Sequence, residues 1–238
     1  MSVYRGPKIV TDGLVLCLDA ADKNSYSGTG TTWYDLGKNN YNGTLVNGPT
    51  FSSNNMGAIV FDGTDDRGSF TTPVNSTDNQ TYEVWTNAVS GALASSGYAY
   101  ILHNNSLNSS IGNSFLTIGL KPTNIYFGAF NGALSTMTTN ITATNSIVRQ
   151  LVLKWDGSNQ YLYADGQLQD SEALSAPIQN FNTITSFGDY YNSTFRMILG
   201  NIYTIRIYNR SLSSSEILQN YNATKGRFGL WVFHIHRA

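Results

Sequence analysis

Three aspartates stand close together in the stretch DGTDDRG, at Asp62, Asp65 and Asp66. Hard cations such as calcium favour clustered carboxylate and carbonyl oxygens, so this spacing makes the three residues candidate calcium ligands. The alternative is that Asp62 accepts hydrogen bonds from the turn amides behind it while the other two carboxylates face solvent. Both interpretations stay open: no cofactor is predicted, and calcium at this turn is the alternative.

A second stretch, GDYYNSTF from Gly188 to Phe195, has the residue types that bind sugars. Sugar rings stack on aromatic faces, and their hydroxyl groups hydrogen-bond to amides and carboxylates. Adjacent tyrosines in a strand-like segment cannot both point into a core. The candidate carbohydrate-binding residues are therefore Asp189, Tyr190, Tyr191 and Asn192. The alternative is a surface loop with one buried tyrosine.

The overall composition favours many short strands joined by polar turns. Charged residues make up 12% of the 238 residues, about half of the roughly 25% usual in soluble domains. The formal net charge is −1 and there is no run of Lys or Arg, so nucleic acid is not an expected partner. No apolar run approaches the roughly 20 residues that span a bilayer, and we expect no membrane insertion.

The first residues and the single cysteine bear on the compartment. The start, MSVYRGPKIVTDG, lacks the apolar stretch of a secretory signal, so we expect synthesis in a cytoplasm. Cys17 is the only cysteine, which excludes an internal disulfide. Within LVLCLD we expect it to be a small, buried apolar residue.

Runs of β-branched and aromatic residues, bounded by Asn, Gly, Asp and Ser, recur along the chain and predict strands. Examples are GLVLCLDA, TYEVWTNA, IVRQLVLKW and NIYTIRIYN. In the last of these, alternation places Tyr203, Ile205 and Ile207 on one face and Thr204 and Arg206 on the other, which predicts a half-buried strand. No fixed repeat and no Pro- or Gly-rich linker divides the chain, so we expect one domain.

Two hairpins can be placed from their turn residues. WDGSNQY predicts a turn between Trp155 and Tyr161, and YADGQL predicts a two-residue turn at Asp165-Gly166. Asp-Gly supplies the positive φ that a type I′ turn requires at both central positions.

The strand NIYTIRIYN is followed by the signals of one short helix. Ser213 and Glu216 have the spacing of a capping box, and Leu212 and Ile217 are placed for a hydrophobic staple. Gly226 is the predicted stop. The apolar stripe expected to face the core consists of Ile217, Leu218 and Tyr221.

This strand and helix, IRIYNRSLSSSEILQNY, resemble the closing segment of laminin-G-like domains in the concanavalin A-like lectin/glucanase superfamily. GLVLCLDAAD is similar to the opening strand of these domains, IVFDGTDDRGSF to their F-D-G strand and turn, and LKWDGSNQYLYADGQLQ to their Tyr-x-Asp/Asn-Gly hairpin. The resemblance covers residues 13–226. It implies an all-β fold, an antiparallel β-sandwich of the jelly-roll type, with one short C-terminal helix.

The opening stretch RGPKIVTDGLVLCLDAADKNSYSGTGTTWYDL also resembles virion structural proteins of marine tailed phages. This resemblance implies a capsid decoration, fibre or tail component located on the virion. We expect residues 1–12 to form an N-terminal arm and residues 227–238 a C-terminal extension, whose apolar alternation suits pairing along a sheet edge. The expected partners are other virion proteins, which these arms would bind. Host surface glycans and further copies of the chain are expected partners as well.

The resemblance also raises catalysis, because the superfamily includes glycan hydrolases. Glycoside hydrolysis normally needs two carboxylates about 5–10 Å apart, and the glucanase branch supplies them in an E-x-D-x-E-like strand. The chain has three glutamates: Glu83 has no acidic residue two or four positions on, Glu172 lies near Asp170 in a polar stretch, and Glu216 belongs to the helix cap. We therefore predict no enzyme.

The favoured prediction is a non-enzymatic phage virion structural protein that binds glycans weakly. The alternatives are a free-standing carbohydrate-binding lectin and a polysaccharide hydrolase.

Overall fold

The computed structural model describes residues 7–75, 79–91, 98–105, 114–121, 124–131, 134–144, 146–173, 184–189 and 196–230. The elements, in chain order, are the strands β1 (Leu14–Asp19), β2 (Thr32–Trp33), β3 (Gly43–Val46), β4 (Thr50–Ser52), β5 (Ala58–Asp62), β6 (Arg67–Thr71), β7 (Gln80–Thr86), β8 (Val89–Ser90), β9 (Ala99–Asn105), β10 (Ser114–Leu120), β11 (Asn124–Asn131), β12 (Leu134–Thr142), β13 (Arg149–Trp155), β14 (Asn159–Ala164), β15 (Gln167–Ala173), β16 (Ile184–Phe187) and β17 (Ile198–Tyr208), followed by the helix α1 (Ser214–Thr224). Short 3-10 turns cover Asn54–Met56 and Lys225–Phe228.

The strands form two antiparallel sheets that pack face to face. The first sheet has the order β15-β14-β13-β7-β17-β5-β4, with β1 and β8 also paired to β17. The second has the order β12-β11-β10-β9-β16-β6-β3-β2. The predicted all-β sandwich with one short C-terminal helix is confirmed.

The core between the sheets is built around one aromatic side chain. The Phe187 ring makes edge-on contacts with Trp33 and Phe61, at centroid distances of 5.9 and 6.2 Å, and stacks on Phe70 at 5.9 Å. Gly68 lies opposite Phe187 on the neighbouring strand, where an added Cβ would meet the ring at 2.1 Å. The ring therefore occupies space that a side chain at position 68 would need.

Strand β17 is central and is buried on both faces, so the prediction of a half-buried strand is wrong. Thr204 and Arg206 are buried although they lie on the face opposite the core. The predicted grouping of Tyr203 with Ile205 is also wrong, because a bulge between Ile202 and Thr204 inserts one extra residue. Tyr203 consequently packs with Trp85 on the outer side of the first sheet, whereas Ile205 stays in the main core.

Helix α1 covers that outer face, and its start is as predicted. The Ser213 side chain accepts a hydrogen bond from the Glu216 amide, and the Glu216 carboxylate accepts one from the Ser213 amide. Leu212 and Ile217 are both buried in one cluster, as a hydrophobic staple requires.

The rest of α1 corrects the prediction. Leu218 is 38% exposed, and the buried helix positions are Ile217, Asn220 and Thr224. The two polar positions meet the ion pair below, since Asn220 donates to Glu83 and Arg206 donates to Thr224. Tyr221 of the predicted stripe stacks on Trp85 at a centroid distance of 5.7 Å, so the stripe is confirmed except at Leu218. Gly226 does not end the helical segment, which continues as a 3-10 turn until Gly229 adopts a left-handed conformation.

Both predicted hairpins are confirmed. Strand β13 ends at Trp155 and β14 begins at Asn159, so the first turn lies where WDGSNQY places it. Asp165 and Gly166 have φ values of +52° and +77°, which is the type I′ conformation expected between β14 and β15.

Residues at both ends of the described chain pack on this same outer face. The Val10 amide donates to Asn220 Oδ1 at 2.8 Å, and the Tyr208 hydroxyl donates to the Val10 carbonyl at 3.1 Å. At the other end Phe228 packs against Trp85 at a centroid distance of 4.9 Å. Parts of the predicted arm and of the predicted extension thus contact the domain, while residues 1–6 and 231–238 lie outside the described residues.

Strand β1 of the first sheet lies beside the loop that follows β2. The Cys17 amide donates to Asp35 Oδ1 at 2.8 Å, and the Leu36 amide donates to the Cys17 carbonyl at 2.9 Å. Cys17 itself is buried as expected, and burial raises the pKa of its thiol. Within the described part of the chain, no helix is both long and apolar enough to cross a membrane.

Candidate functional site

The three predicted calcium ligands converge in the turn between β5 and β6. Oxygen atoms of Asp62, Asp65 and Asp66 lie within 4.8 Å of one another. Asp62 Oδ1 accepts the Thr64 amide at 2.8 Å, and Asp66 Oδ2 accepts the Asp62 amide at 2.9 Å. Both interpretations of the sequence therefore have support, because the carboxylates cluster and also bond the turn. Calcium binding stays a prediction.

Asp66 differs from the other two aspartates in its surroundings. Its side chain is buried, whereas Asp62 and Asp65 are exposed. Burial raises the pKa of the Asp66 carboxyl, and the negative charges of Asp62 and Asp65 raise it further. The cluster thus gathers negative charge that a bound cation would relieve.

Asp189 is the one member of the predicted sugar site that lies among the described residues, since 190–195 fall outside them. Its carboxylate is fully buried, with Oδ2 4.0 Å from Arg67 Nε. A ligand at this place would meet Arg67, whose side chain is 25% exposed, before Asp189. The sugar contacts predicted for Asp189, Tyr190, Tyr191 and Asn192 stay a prediction.

The aspartate turn and the Asp189 turn are neighbours. Gly188 has φ +87°, and a Cβ there would lie 2.6 Å from the Phe61 ring and 3.4 Å from the Asp66 carbonyl. On the other side, Asn47 Nδ2 donates to the Asp65 carbonyl at 3.0 Å. The turns at 47–48, 62–66 and 188–189 therefore form one edge of the sandwich, here called the rim.

Beside the rim, the outer side of the second sheet carries buried polar side chains that sequence reasoning missed. His103 lies opposite Thr117 on β10 and opposite Ser186 on β16. Each of these three residues is next in sequence to a core residue. His103 Nδ1 lies 2.5 Å from Thr117 Oγ1, and Ser186 Oγ donates to the Asp189 carbonyl at 3.2 Å. We call His103, Thr117, Ser186 and Tyr100 the polar face. Its only sequence signal is the alternation of polar and apolar residues along β9 and β10.

An arginine covers one end of the polar face. The Tyr100 ring lies 4.7 Å from the His103 ring, and the Arg196 guanidinium lies 5.2 Å above Tyr100 and bonds its hydroxyl. Tyr98, two residues before Tyr100, is 37% exposed. Arg196 directly follows the predicted sugar-binding stretch in sequence, since residues 190–195 join Asp189 to Arg196.

His103 is not suited to proton transfer near neutral pH. Burial, and then the nearby charge of Arg196, lower its pKa from 6.5 to about 3. The imidazole is therefore neutral under physiological conditions, and it acts as a hydrogen-bonding group within the polar face.

The three glutamates have separate structural surroundings. Glu83 is buried, with Oε1 2.6 Å from Arg206 Nη1 and Oε2 accepting Asn220 Nδ2 at 2.7 Å. Glu216 is bound by Arg210 at 2.6 Å and belongs to the helix cap. Glu172 lies on β15, an exposed strand at the end of the first sheet. These positions do not resemble a pair of carboxylates on either side of a sugar.

The family model described as the concanavalin A-like lectin/glucanases superfamily matches residues 62–218, about two thirds of the chain. The chain belongs to this superfamily. The matched region runs from the aspartate turn to the middle of α1, so it includes the polar face and most of both sheets. A search of curated proteins finds no match to this chain.

Solved structures similar to this lectin-like chain include two binding domains. The botulinum neurotoxin serotype D binding domain is 15% identical with a TM-score of 0.67, and the match covers 88% of this chain and 51% of that one. The binding domain of Paraclostridial Mosquitocidal Protein 1 is 16% identical with a TM-score of 0.68, covering 89% of this chain and 52% of that one.

A third similar structure is the botulinum neurotoxin serotype D ligand binding domain in complex with N-acetylneuraminic acid, 15% identical with a TM-score of 0.66. Its match covers 88% of this chain and 50% of that chain. The lectin-like chain thus spans about half the length of these structures, and at this identity the likeness shows the fold alone.

Proposed function

We propose that the chain is a non-catalytic domain that binds glycans at the rim and at the neighbouring residues Tyr98 and Arg196. The observation that carries the proposal is the Arg196 guanidinium above the Tyr100 ring beside the rim, with the 37% exposed Tyr98 two residues before Tyr100 in sequence. An exposed aromatic ring offers a surface on which a sugar ring stacks, and an arginine donates to hydroxyl or carboxylate oxygens.

The fold supports this proposal at the level of the superfamily. A similar structure was solved in complex with N-acetylneuraminic acid. Because that protein is about twice as long as the matched region, the position of its sugar is not transferred to this chain.

The absence of catalysis is part of the same proposal. Glu83 and Glu216 are engaged in ion pairs within the structure, and Glu172 lies on an exposed edge strand. If the chain hydrolysed glycans, it would release reducing ends, and this release would disappear when Glu172 is replaced. We expect no release at all.

Glycan binding is tested by a glycan array probed with the protein coupled to a multivalent carrier, since many weak contacts then add up. We expect binding to at least one class of glycan, and its loss in the variants Tyr98→Ala and Arg196→Ala. Tyr34→Ala is the matched control, because Tyr34 is 51% exposed in the loop after β2. Equal loss in Tyr34→Ala, or binding that survives both substitutions, contradicts the proposed site.

We further propose that the domain is displayed on a phage particle. The support is the resemblance of the opening stretch to virion structural proteins. Because Val10 and Phe228 pack on the domain, attachment would use residues 1–6 and 231–238. Deleting both segments should abolish incorporation into particles while the thermal unfolding temperature is unchanged. Unchanged incorporation favours the free-standing lectin.

A further inference from the structure

Two Asn-Gly pairs lie wholly within the described part of the chain, Asn42-Gly43 and Asn47-Gly48. In such a pair the backbone nitrogen of the glycine can attack the side-chain amide of the asparagine, because glycine has no Cβ that would hinder the approach. The reaction needs an accessible glycine N–H and an asparagine side chain that can move. The two pairs differ in both respects.

The first pair is held by the second sheet. Gly43 is buried at the start of β3 and pairs with Trp33 of β2. A Cβ at Gly43 would lie 3.3 Å from the Trp33 side chain, so core side chains closely surround this glycine. The Asn42 side chain is fixed as well, because its Oδ1 accepts the Asp35 amide at 2.9 Å. Reaction at Asn42 therefore requires β3 to separate from β2.

The second pair lies in the turn between β3 and β4, where both of its residues are exposed. The Gly48 N–H has no hydrogen-bond acceptor among the described residues. The Asn47 backbone is left-handed, with φ +67°, a conformation that asparagine tolerates. Its side chain is restrained by a hydrogen bond from Nδ2 to the Asp65 carbonyl at 3.0 Å. An exposed turn of this kind can open locally, which releases the side chain and lets the backbone rotate toward the geometry of attack.

We propose that Asn47 is a site of spontaneous deamidation, through attack by the Gly48 nitrogen. The nitrogen forms a bond to Cγ of Asn47, the bond between Cγ and Nδ2 breaks, and ammonia leaves with the proton of the Gly48 amide. Water then opens the cyclic imide at either carbonyl, which leaves a carboxylate as aspartate or as isoaspartate. Water is the only co-reactant, and the proposal does not depend on glycan binding.

The product would add a carboxylate to the rim. Asn47 Nδ2 is a donor, whereas a carboxylate only accepts, so the hydrogen bond to the Asp65 carbonyl is lost. The new charge arises beside Asp62, Asp65 and Asp66, whose oxygens already lie within 4.8 Å of one another. A Cβ at Gly48 would lie 4.0 Å from Asp66 Oδ1, which shows how closely the two turns approach. Deamidation would thus make the rim more acidic and loosen the contact between these turns.

Peptide mapping by mass spectrometry, on protein incubated in mildly alkaline buffer, tests the proposal. We expect the acid forms to accumulate at Asn47, with the aspartate and isoaspartate products separating as two peptides of equal mass. Conversion at Asn42 should be at least about tenfold slower, because it requires local unfolding of β3. In urea the two positions should convert at similar rates, since the difference between them lies in the fold. Equal rates in the folded protein, or no conversion at Asn47 while the sample in urea converts, overturns the proposal.

Two variants test the place and the charge of the product. Asn47→Gln keeps the side-chain amide but would close a larger ring, so conversion at this position should be lost. Asn47→Asp reproduces one product directly, and its thermal unfolding temperature at low salt should be lower than that of the unmodified protein. The decrease should shrink as salt screens the charges. Asn39→Asp is the matched control, because it adds the same charge at an exposed position in the loop after β2. Equal unfolding temperatures for the two aspartate variants would overturn the placement of the new charge beside the aspartate turn.

Discussion

Arg206 and Glu83 form a buried ion pair between neighbouring strands, with Nη1 2.6 Å from Oε1 and side-chain exposures of 4% and 1%. The pair is shared by the sheet and the helix, because Asn220 of α1 donates to the other oxygen of Glu83 at 2.7 Å. Trp85 Nε1 and Gln150 Nε2 also donate to Glu83, at 3.0 and 3.2 Å. A residue that sequence reasoning weighed as a catalytic acid is thus an attachment point for the helix.

Glu83→Gln should destabilise the domain strongly. The substitution leaves the Arg206 charge buried without a counter-ion, which costs about 3–5 kcal/mol of unfolding free energy. Urea unfolding followed by fluorescence measures the change, and Glu172→Gln on the exposed β15 is the control, with an expected effect within about 0.5 kcal/mol. The double variant Glu83→Gln, Arg206→Gln should lose less than Glu83→Gln alone. Additive losses would show that the two charges are not coupled.

Glu216 should contribute stability that depends on pH. Hydrogen bonds from Arg210, and then from Ser213, lower the pKa of its carboxyl from 4.5 to about 2. A carboxyl with a lowered folded-state pKa stabilises the fold above its unfolded pKa and loses that contribution as pH falls from about 4.5 to about 2. The unfolding free energy of Glu216→Gln should therefore fall less steeply over this range. Parallel pH profiles for the two proteins would contradict the assignment, and Glu172→Gln again serves as the control.

His103 should destabilise the fold in weak acid. Its folded-state pKa is lowered from 6.5 to about 3 by burial and by Arg196. The unfolded state consequently binds a proton more readily, so stability is complete above pH 6.5 and decreases as pH falls toward 3. His103→Gln, which retains a hydrogen-bonding group for Thr117, should show a shallower loss between these values. Proton NMR of the His103 ring that shows titration near pH 6.5 would exclude this explanation.

Calcium should raise the thermal unfolding temperature if the aspartate turn binds it. A cation that binds only the folded state stabilises it in proportion to the logarithm of its concentration. Asp65→Asn removes one exposed carboxylate without touching the amide bonds made by Asp62 and Asp66, and it should abolish the calcium-dependent increase. Asp170→Asn on β15 should not. An unfolding temperature unaffected by calcium and by chelator would leave only the turn-stabilising role.

Much of the fold follows from local chemistry that a sequence displays directly. The Asp165-Gly166 turn needs positive φ at both positions, and the capping box at Ser213 and Glu216 needs only residues three apart. Each signal therefore requires no knowledge of the remaining chain. The sandwich followed from such signals together with the resemblance to laminin-G-like domains.

The errors arose where strand pairing decides the outcome. Tyr203 changes faces because of a bulge against β7, and no alternation within β17 reveals that extra residue. Leu218 is exposed because the helix lies over Glu83 and Arg206, which are 123 residues apart in sequence. The charged pair makes Asn220 and Thr224 buried helix residues beside Ile217, while Tyr221 of the predicted stripe stacks on Trp85.

The candidate site was predictable only in part. Asp62, Asp65, Asp66 and Asp189 were found because each turn is a short motif, and the structure shows that the turns are adjacent. Tyr98, Tyr100, His103 and Arg196 were missed because β9, β10 and β16 must pair before these residues meet. A polar residue on the outer side of a strand also looks the same in sequence whether it is exposed or buried, as His103 is.

The contacts of Asp35 and Leu36 with Cys17 affect how the protein aggregates when many copies are close together. Unpaired strand edges recruit strands from other molecules and promote fibrils. The loop after β2 occupies the backbone of β1 at its midpoint, so β1 cannot be extended by a neighbour at that position. Proteins held at high local density should therefore resist sheet-to-sheet aggregation along this border, and Asp35→Ala is the substitution expected to remove that protection.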